Sequence, residues 1–184
     1  MADVFDERTA GAMMDARNVL SVVVALESAG VHVWLDGGWG IDALVGEQTR
    51  DHDDLDCVIA LSDVEIARDT LSALGFAVSL DELPSRFVVR DRRDRRVDFH
   101  TVTFDATGTA TQQLQDGTRV PYPAQGFSGV GHVAGVRVAC LTAAVQALHH
   151  LGYDPDEKVH HDMGLLADRC GIDLAAPYRR NGVR

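Results

Sequence analysis

The chain has 184 residues, with 17 basic and 28 acidic side chains and a formal charge of −11 when histidines are neutral. Its 46% hydrophobic and 24% charged residues are ordinary globular composition, which argues against disorder, and the length is ample for one compact domain with a real core. The acidic balance argues against a dedicated DNA or RNA binder, because phosphate neutralisation needs a basic face.

Cys57, Cys140 and Cys170 are an odd number with no close pair, so no disulfide scaffold is expected. No apolar run is long enough to span a bilayer. Asp3, Asp6 and Glu7 stand where a secretory signal would carry basic charge, so a cytoplasmic setting is expected. No repeat or Pro/Gly/Ser-rich linker divides the chain. One domain over 1–184 is therefore expected, with its core over about 12–141 and a helical C-terminal part over about 142–172.

In chain order, Met13, Ala16, Leu20, Val23 and Val24 recur at helical spacing and predict a helix from Ala12 to Ala29, ended by Gly30. Val31 to Leu35 reads as a short buried strand, Asp36-Gly37-Gly38 as a turn, and Trp39 to Val45 as a short helix closed by Gly46. Leu55 to Leu61 is the next strand. Ser62 and Glu65 have capping-box spacing for a helix that runs to Leu74. Phe76 to Leu80, Arg86 to Arg90 and Arg96 to Thr103 read as strands. Residues 105–135, with glycines at 108, 117, 126, 129, 131 and 135, read as loop with short strands at most. Val136 to Leu141 is the last strand, and Thr142 to Leu151 and Asp156 to Cys170 are closing helices. The pattern predicts a mixed α/β or α+β domain.

Four acids fall within residues 51–56, at the mouth of an apolar strand. Alternation along a strand puts Asp54 and Asp56 on one face and Leu55 on the other. Carboxylates held that close repel unless neutralised, and a hard divalent cation such as Mg²⁺ does this together with substrate phosphates. The alternative is a solvated acidic turn. Gly37-Gly38 between a strand and a helix would let a phosphate approach backbone N–H groups at a helix N-terminus. Asp98 and His100 share one face of a later strand, and a third carboxylate beside Asp54 and Asp56 would complete a trio able to hold metal and accept a hydroxyl proton. The alternative for Asp98 is a partner for the nearby arginines.

Gly37-Gly38-Trp39, the Asp54-x-Asp56 pair and the later Asp98 resemble the signature of the polymerase-β-like nucleotidyltransferases. The chain most resembles the small antibiotic nucleotidyltransferases, the lincosamide branch above all. That resemblance is carried by Trp34 to Gly40, Thr49 to Asp56, Pro84-Ser85-Arg86, Asp98-Phe99-His100, and His150 to Asp154 followed by His160 and Asp162. It implies an α+β nucleotidyltransferase fold, a mixed β-sheet flanked by helices with a helical C-terminal part. It also implies transfer of a nucleoside monophosphate, usually from Mg·ATP, to a hydroxyl of a small antibiotic, with release of pyrophosphate.

By position, the resemblance makes Asp54 and Asp56 metal ligands, and Asp98 a metal ligand or the base. Gly37 and Gly38 would bed the triphosphate, and Arg50, Arg86 and His160 would contact the nucleotide. Other acceptors stay open: an aminoglycoside, a protein or tRNA as in toxin-like relatives, water in a metal-dependent hydrolase, or none in a non-catalytic nucleotide-binding module. No nucleic-acid or membrane partner is expected, and a homodimer is a hypothesis that follows from the resemblance.

Arg92 to Arg95 reads as an exposed hairpin turn. Lys158 is the sole lysine, so phosphate charge falls mainly to arginine, backbone N–H groups and metal. His149, His150, His160 and His161 match no familiar zinc spacing and read as helix-surface or site-lining residues.

Overall fold

The computed structural model describes residues 13–150, 156–174 and Tyr178. The predicted helical residues Ala12 and Leu151, and Leu151 to Asp154 of the His150 motif, lie outside the described residues. Helix α1 (Ala16–Ser28) starts later than the spacing suggests. The Met14 amide is committed to the His52 carbonyl at 2.9 Å, and the Asp15 carboxylate caps the helix by accepting from the Asn18 amide at 2.8 Å. Val19, Val22, Val23 and Leu26 form its buried stripe.

Strand β1 (Trp34–Asp36) is shorter than expected and shifted towards the glycines. Asp36 ends the strand and caps helix α2 (Gly37–Val45), whose first turn contains Gly37 and Gly38. The three residues read as a separate turn are therefore a strand end and a helix start. Strand β2 (Asp54–Ala60) leads through a 3-10 turn (Leu61–Asp63) to helix α3 (Val64–Ala73). The expected capping box is not formed: Asp63 occupies the cap position without a side-chain bond, and the Ser62 hydroxyl donates to Asp63 instead.

Strands β3 (Ala77–Glu82), β4 (Arg86–Arg90) and β5 (Arg96–Phe104) follow close to expectation. The stretch read as loop with short strands at most holds three of them, β6 (Ala110–Gln113), β7 (Arg119–Tyr122) and β8 (Gly129–Val133). Glycine inside β8 marks a close approach rather than a turn, since a Cβ on Gly131 would overlap the backbone of Ala43 on α2. Strand β9 (Val136–Cys140) and helices α4 (Ala143–His150) and α5 (Glu157–Cys170) complete the chain.

The sheet order is β3-β4-β5-β2-β1-β9-β8, with β6 and β7 continuing from the far end of β5. The β2–β5 and β1–β9 pairs are parallel and the other pairs antiparallel. Leu35, Leu55, Cys57, Ile59, Phe87, Val97 and Phe99 turn to one face and join α1 and α3 in the main core. Phe87 and Phe99 stack with centroids 4.7 Å apart, and truncating either to alanine is worth about 3–5 kcal/mol. Val58, Val102, Tyr122, Leu141 and Val145 form a second cluster with Trp34, Phe104 and Phe127. Ile41, Ala147, Met163 and Leu166 join α2, α4 and α5 in a third. This is the mixed sheet flanked by helices, with helices closing the C-terminal part, that the nucleotidyltransferase resemblance implies. Among the described residues no helix is long and apolar enough to cross a membrane.

Candidate active site

The strand register assembles the acids. Asp36 on β1 lies opposite Asp56 on β2, and Asp56 lies beside Asp98 on β5, so one row of carboxylates crosses three strands. Because side chains alternate, the row faces away from the core that Leu55 and Val97 enter. The neighbouring row along the same face runs Trp34, Val58, His100 and Arg86. On the other side, Asp54 pairs in register with Arg96, and the two side chains come within 3.7 Å.

Burial and the charges of Asp54, Asp36 and Asp98 push the Asp56 carboxyl well above the usual carboxylate range. Asp98 is raised as well, by burial first and by Asp54, against the opposing pull of His100 and Arg86. Such repulsion is what a bound cation relieves. Asp56, Asp98 and His100 each offer one ligand atom, and these lie within 4.8 Å of one another. Asp98 Oδ1 is buried with no hydrogen-bond partner, although its other oxygen accepts from Arg86 Nη1 at 2.8 Å. An orphaned carboxylate oxygen beside a second acid and an imidazole fits a divalent cation. Asp54 stands outside this closest group and is half exposed.

The first turn of α2 borders the row. Gly37 has φ +56°, and a Cβ there would overlap the Asp56 carboxylate. A Cβ on Gly38 would overlap Arg50 Nη2 and come within 2.6 Å of the His52 ring. Backbone, carboxylate and guanidinium thus meet where only glycine fits. His52 is itself fixed by a buried contact of 2.6 Å to Asp42, and its ring lies 4.7 Å from that of Trp39. Arg50 is held by Asp162 on α5 through two bonds of 2.7 and 3.0 Å.

Arg86 bridges Glu82 and Asp98, each at 2.8 Å, so the arginine-partner alternative for Asp98 is realised alongside the carboxylate row. Its strand is tied in place by Thr101, whose hydroxyl donates to the Pro84 carbonyl at 2.6 Å. His160 is exposed on α5, packs against Tyr178 at 5.4 Å and lines a cavity of about 510 Å³ with Met163 and Leu174, apart from the carboxylate group. Another cavity, of about 620 Å³, lies beyond α3 beside Phe76 and Arg92.

The arginine hairpin is exposed at Arg92 and Arg93, but Arg95 differs from expectation. It turns inward to Asp91 and Asn18 and lies 5.8 Å over the Phe76 ring, so packing as well as charge fixes it. Lys158 pairs with Asp53 at 2.6 Å. Cys57 and Cys140 are buried small core residues, and Cys170 is half-buried.

Asp36 and His100 carry no catalytic or binding role in the sequence reading, and His149 is read there only as a helix-surface or site-lining residue. Asp36 read as a turn former, and its place opposite Asp56 follows only from the antiparallel β1–β2 register. His100 was on the same face as Asp98 by alternation, a signal sufficient to add it to the ligand set. His149 sits on α4 with its ring 4.2 Å from Tyr122, and its Nε2 is buried without a hydrogen-bond partner. Burial lowers its imidazole pKa, against the pull of the Asp36 carboxylate.

A family model described as aminoglycoside-2''-adenylyltransferase matches residues 18–166. A lincosamide resistance protein of Staphylococcus haemolyticus is 27% identical over 147 residues, covering 80% of this chain and 91% of the relative. The lincomycin-bound structure of the lincosamide antibiotic adenylyltransferase LnuA is similar with a TM-score of 0.74 and 26% identity, covering 83% of this chain and 96% of that one. ANT(2")-Ia in complex with adenylyl-2"-tobramycin shares the fold, with a TM-score of 0.69 at 21% identity over 85% of this chain and 89% of its own.

Proposed function

The chain belongs to the aminoglycoside-2''-adenylyltransferase family and is an antibiotic nucleotidyltransferase, and from that premise we propose that it moves AMP from Mg·ATP to a hydroxyl of a lincosamide, releasing pyrophosphate and inactivating the drug. The carboxylate row Asp36–Asp56–Asp98, with the orphaned Oδ1 of Asp98, is the observation that carries this reading. A lincosamide is favoured over an aminoglycoside because the lincosamide resistance protein and LnuA are 27% and 26% identical to the chain. The family description names an aminoglycoside and keeps that acceptor as the second reading.

Transfer of this kind needs positioning and charge neutralisation more than covalent chemistry. When bound, Mg²⁺ supplies charge neutralisation for the triphosphate and the leaving pyrophosphate. Asp54 and Asp56 are its proposed ligands, and His100 offers a further donor. Asp98 Oδ1, the oxygen that Arg86 leaves free, is either a further metal ligand or the base that takes the proton of the attacking hydroxyl, and Arg86 fixes the carboxyl plane through Oδ2. Burial raises the basicity of that oxygen. Gly37 and Gly38 bring the first amides of α2 to the triphosphate, with Arg50 beside them. Arg86 is the further proposed nucleotide contact, whereas His160, turned to Tyr178 and its cavity, is not carried into this arrangement. The reading takes residues 1–184 as one domain, working in the cytoplasm where ATP is at hand. It also takes two copies to complete the acceptor cleft, an idea that a monomeric mass by light scattering would overturn.

The test is mass spectrometry of lincomycin, clindamycin and an aminoglycoside panel after incubation with ATP or GTP and Mg²⁺. An AMP adduct on a lincosamide, lost in Asp98→Asn, is expected. An adduct on an aminoglycoside alone moves the assignment to the second reading. Pyrophosphate released without any antibiotic would mark a hydrolase.

A further inference from the structure

Helix α5 is tied at four points to the loop that joins α2 to β2. Lys158 meets Asp53 at 2.6 Å, His161 meets Thr49 at 3.0 Å, Arg169 meets Glu47 at 2.8 Å, and Asp162 grips Arg50. The first three are exposed, and exposed contacts of this kind contribute little to stability. The fourth differs: the Asp162 side chain is 4% exposed and takes Arg50 Nε and Nη2 at 3.0 and 2.7 Å. A bidentate pair with a buried carboxylate fixes the plane of a guanidinium.

The remaining donors of Arg50 are thereby aimed. One Nη1 hydrogen goes to the Asp51 carbonyl at 3.2 Å, which leaves one N–H on each terminal nitrogen uncommitted. Nη2 lies against Gly38, so close that a Cβ would overlap it; the Gly37 amide donates to its cap Asp36 at 2.9 Å, and the amides of Gly38 and Trp39 that follow in the first turn of α2 have no intrahelical partner. The Arg50–Asp162 pair is formally neutral. Its contribution is direction rather than net charge.

We propose that Asp162 is a positioning residue for the nucleotide: it holds the Arg50 guanidinium across the first turn of α2, so that two aimed N–H groups and the helix amides form one cradle for the triphosphate. This rests on the reading of that turn as the triphosphate seat. It gives the C-terminal helix, more than a hundred residues along the chain from Arg50, a part in nucleotide affinity.

The full chain is tested as Asp162→Asn, Asp162→Ala, Arg50→Ala and the Arg50→Ala/Asp162→Ala double variant, with Arg169→Ala as the control for a general tie between the same elements. Affinity for a non-hydrolysable ATP analogue is measured by calorimetry, and KM and kcat at saturating antibiotic. The expected result for Asp162→Asn is a rise of about tenfold or more in KM for ATP with a much smaller fall in kcat. Asp162→Ala should have no further effect once Arg50 is alanine, and Arg169→Ala should leave KM unchanged. A nucleotide affinity unchanged in Asp162→Asn, or a penalty that persists without Arg50, overturns the proposal. So does an Arg169→Ala that behaves like Asp162→Asn. If Arg50→Ala itself binds the analogue normally, the triphosphate reading fails instead. Should Asp162→Ala fail to fold, Asp162→Asn and Asp162→Glu carry the comparison, and Asp162→Glu should regain part of the lost affinity.

Discussion

Asp56 and Asp98 stand side by side in the parallel β2–β5 pair, and both carboxyls are pushed above the usual range, chiefly by burial. The folded chain therefore holds these protons more tightly than the unfolded chain does. Stability from this source is present at low pH and is lost as pH rises from the ordinary carboxylate range through the folded values. Asp56→Asn cannot ionise, so it should gain stability over the parent across that window, read as the difference between urea midpoints at each pH. Added divalent cation at neutral pH should close much of the gap by stabilising the parent, with little effect on Asp56→Asn. A difference that stays flat with pH would count against repulsion in the row.

Arg86 lowers the pKa of Asp98 while burial raises it. Removing the guanidinium leaves burial and the Asp54 charge unopposed by their nearest arginine, so the Asp98 carboxyl should rise further. A base must be ionised to act, and Arg86→Gln should therefore shift the acid limb of the kcat profile to higher pH at saturating substrates. The limb should stay in place for Arg92→Gln, which alters an exposed hairpin position. An unmoved limb in Arg86→Gln would mean that Asp98 is not the group being titrated.

Much of this site was legible as strand alternation. Asp54 with Asp56, and Asp98 with His100, needed only the period of two. What alternation cannot provide is the partner across the sheet. Asp36 faces Asp56 because β1 runs antiparallel to β2, and Arg50 meets Asp162 because α5 folds back over the loop after α2. The glycines misled for a physical reason. In β8, Gly129 and Gly131 are small because neighbouring backbone crowds them, yet a sequence offers the same letter for a turn. The β4 bounds, by contrast, were readable from a compact apolar run flanked by arginines.

Crowding at the start of α2 makes its glycines testable separately. Gly37 has φ +56°, where an alanine costs about 1–2 kcal/mol, and its new methyl would also meet the Asp56 carboxylate. Gly37→Ala should lower the urea midpoint and impair catalysis together. Gly38 has no such backbone constraint, but its Cβ would press on Arg50 and His52. Gly38→Ala should chiefly raise KM for ATP. Equal effects of the two variants on stability would show that backbone conformation is not what separates them.

His149 presents a different balance, a buried Nε2 without a hydrogen-bond partner in a ring that packs edge-on to Tyr122. Burial is the largest influence and lowers the imidazole pKa; Asp36 and a hydrogen bond to the Pro121 backbone favour the charged form, and His100 and His150 oppose it. The unfolded chain thus takes up this proton more readily than the folded chain. Stability from His149 is full above the ordinary imidazole range and is lost as pH falls through it. Phenylalanine keeps a ring against Tyr122 and removes the orphaned nitrogen, whose desolvation costs about 1–3 kcal/mol. His149→Phe should therefore be more stable than the parent at neutral pH, with a margin that widens on acidification, measured by urea unfolding at stepped pH. A variant less stable than the parent at neutral pH, with no widening towards acid, would show that Nε2 finds a partner in solution and that the imidazole is worth more to the fold than a hydrocarbon ring.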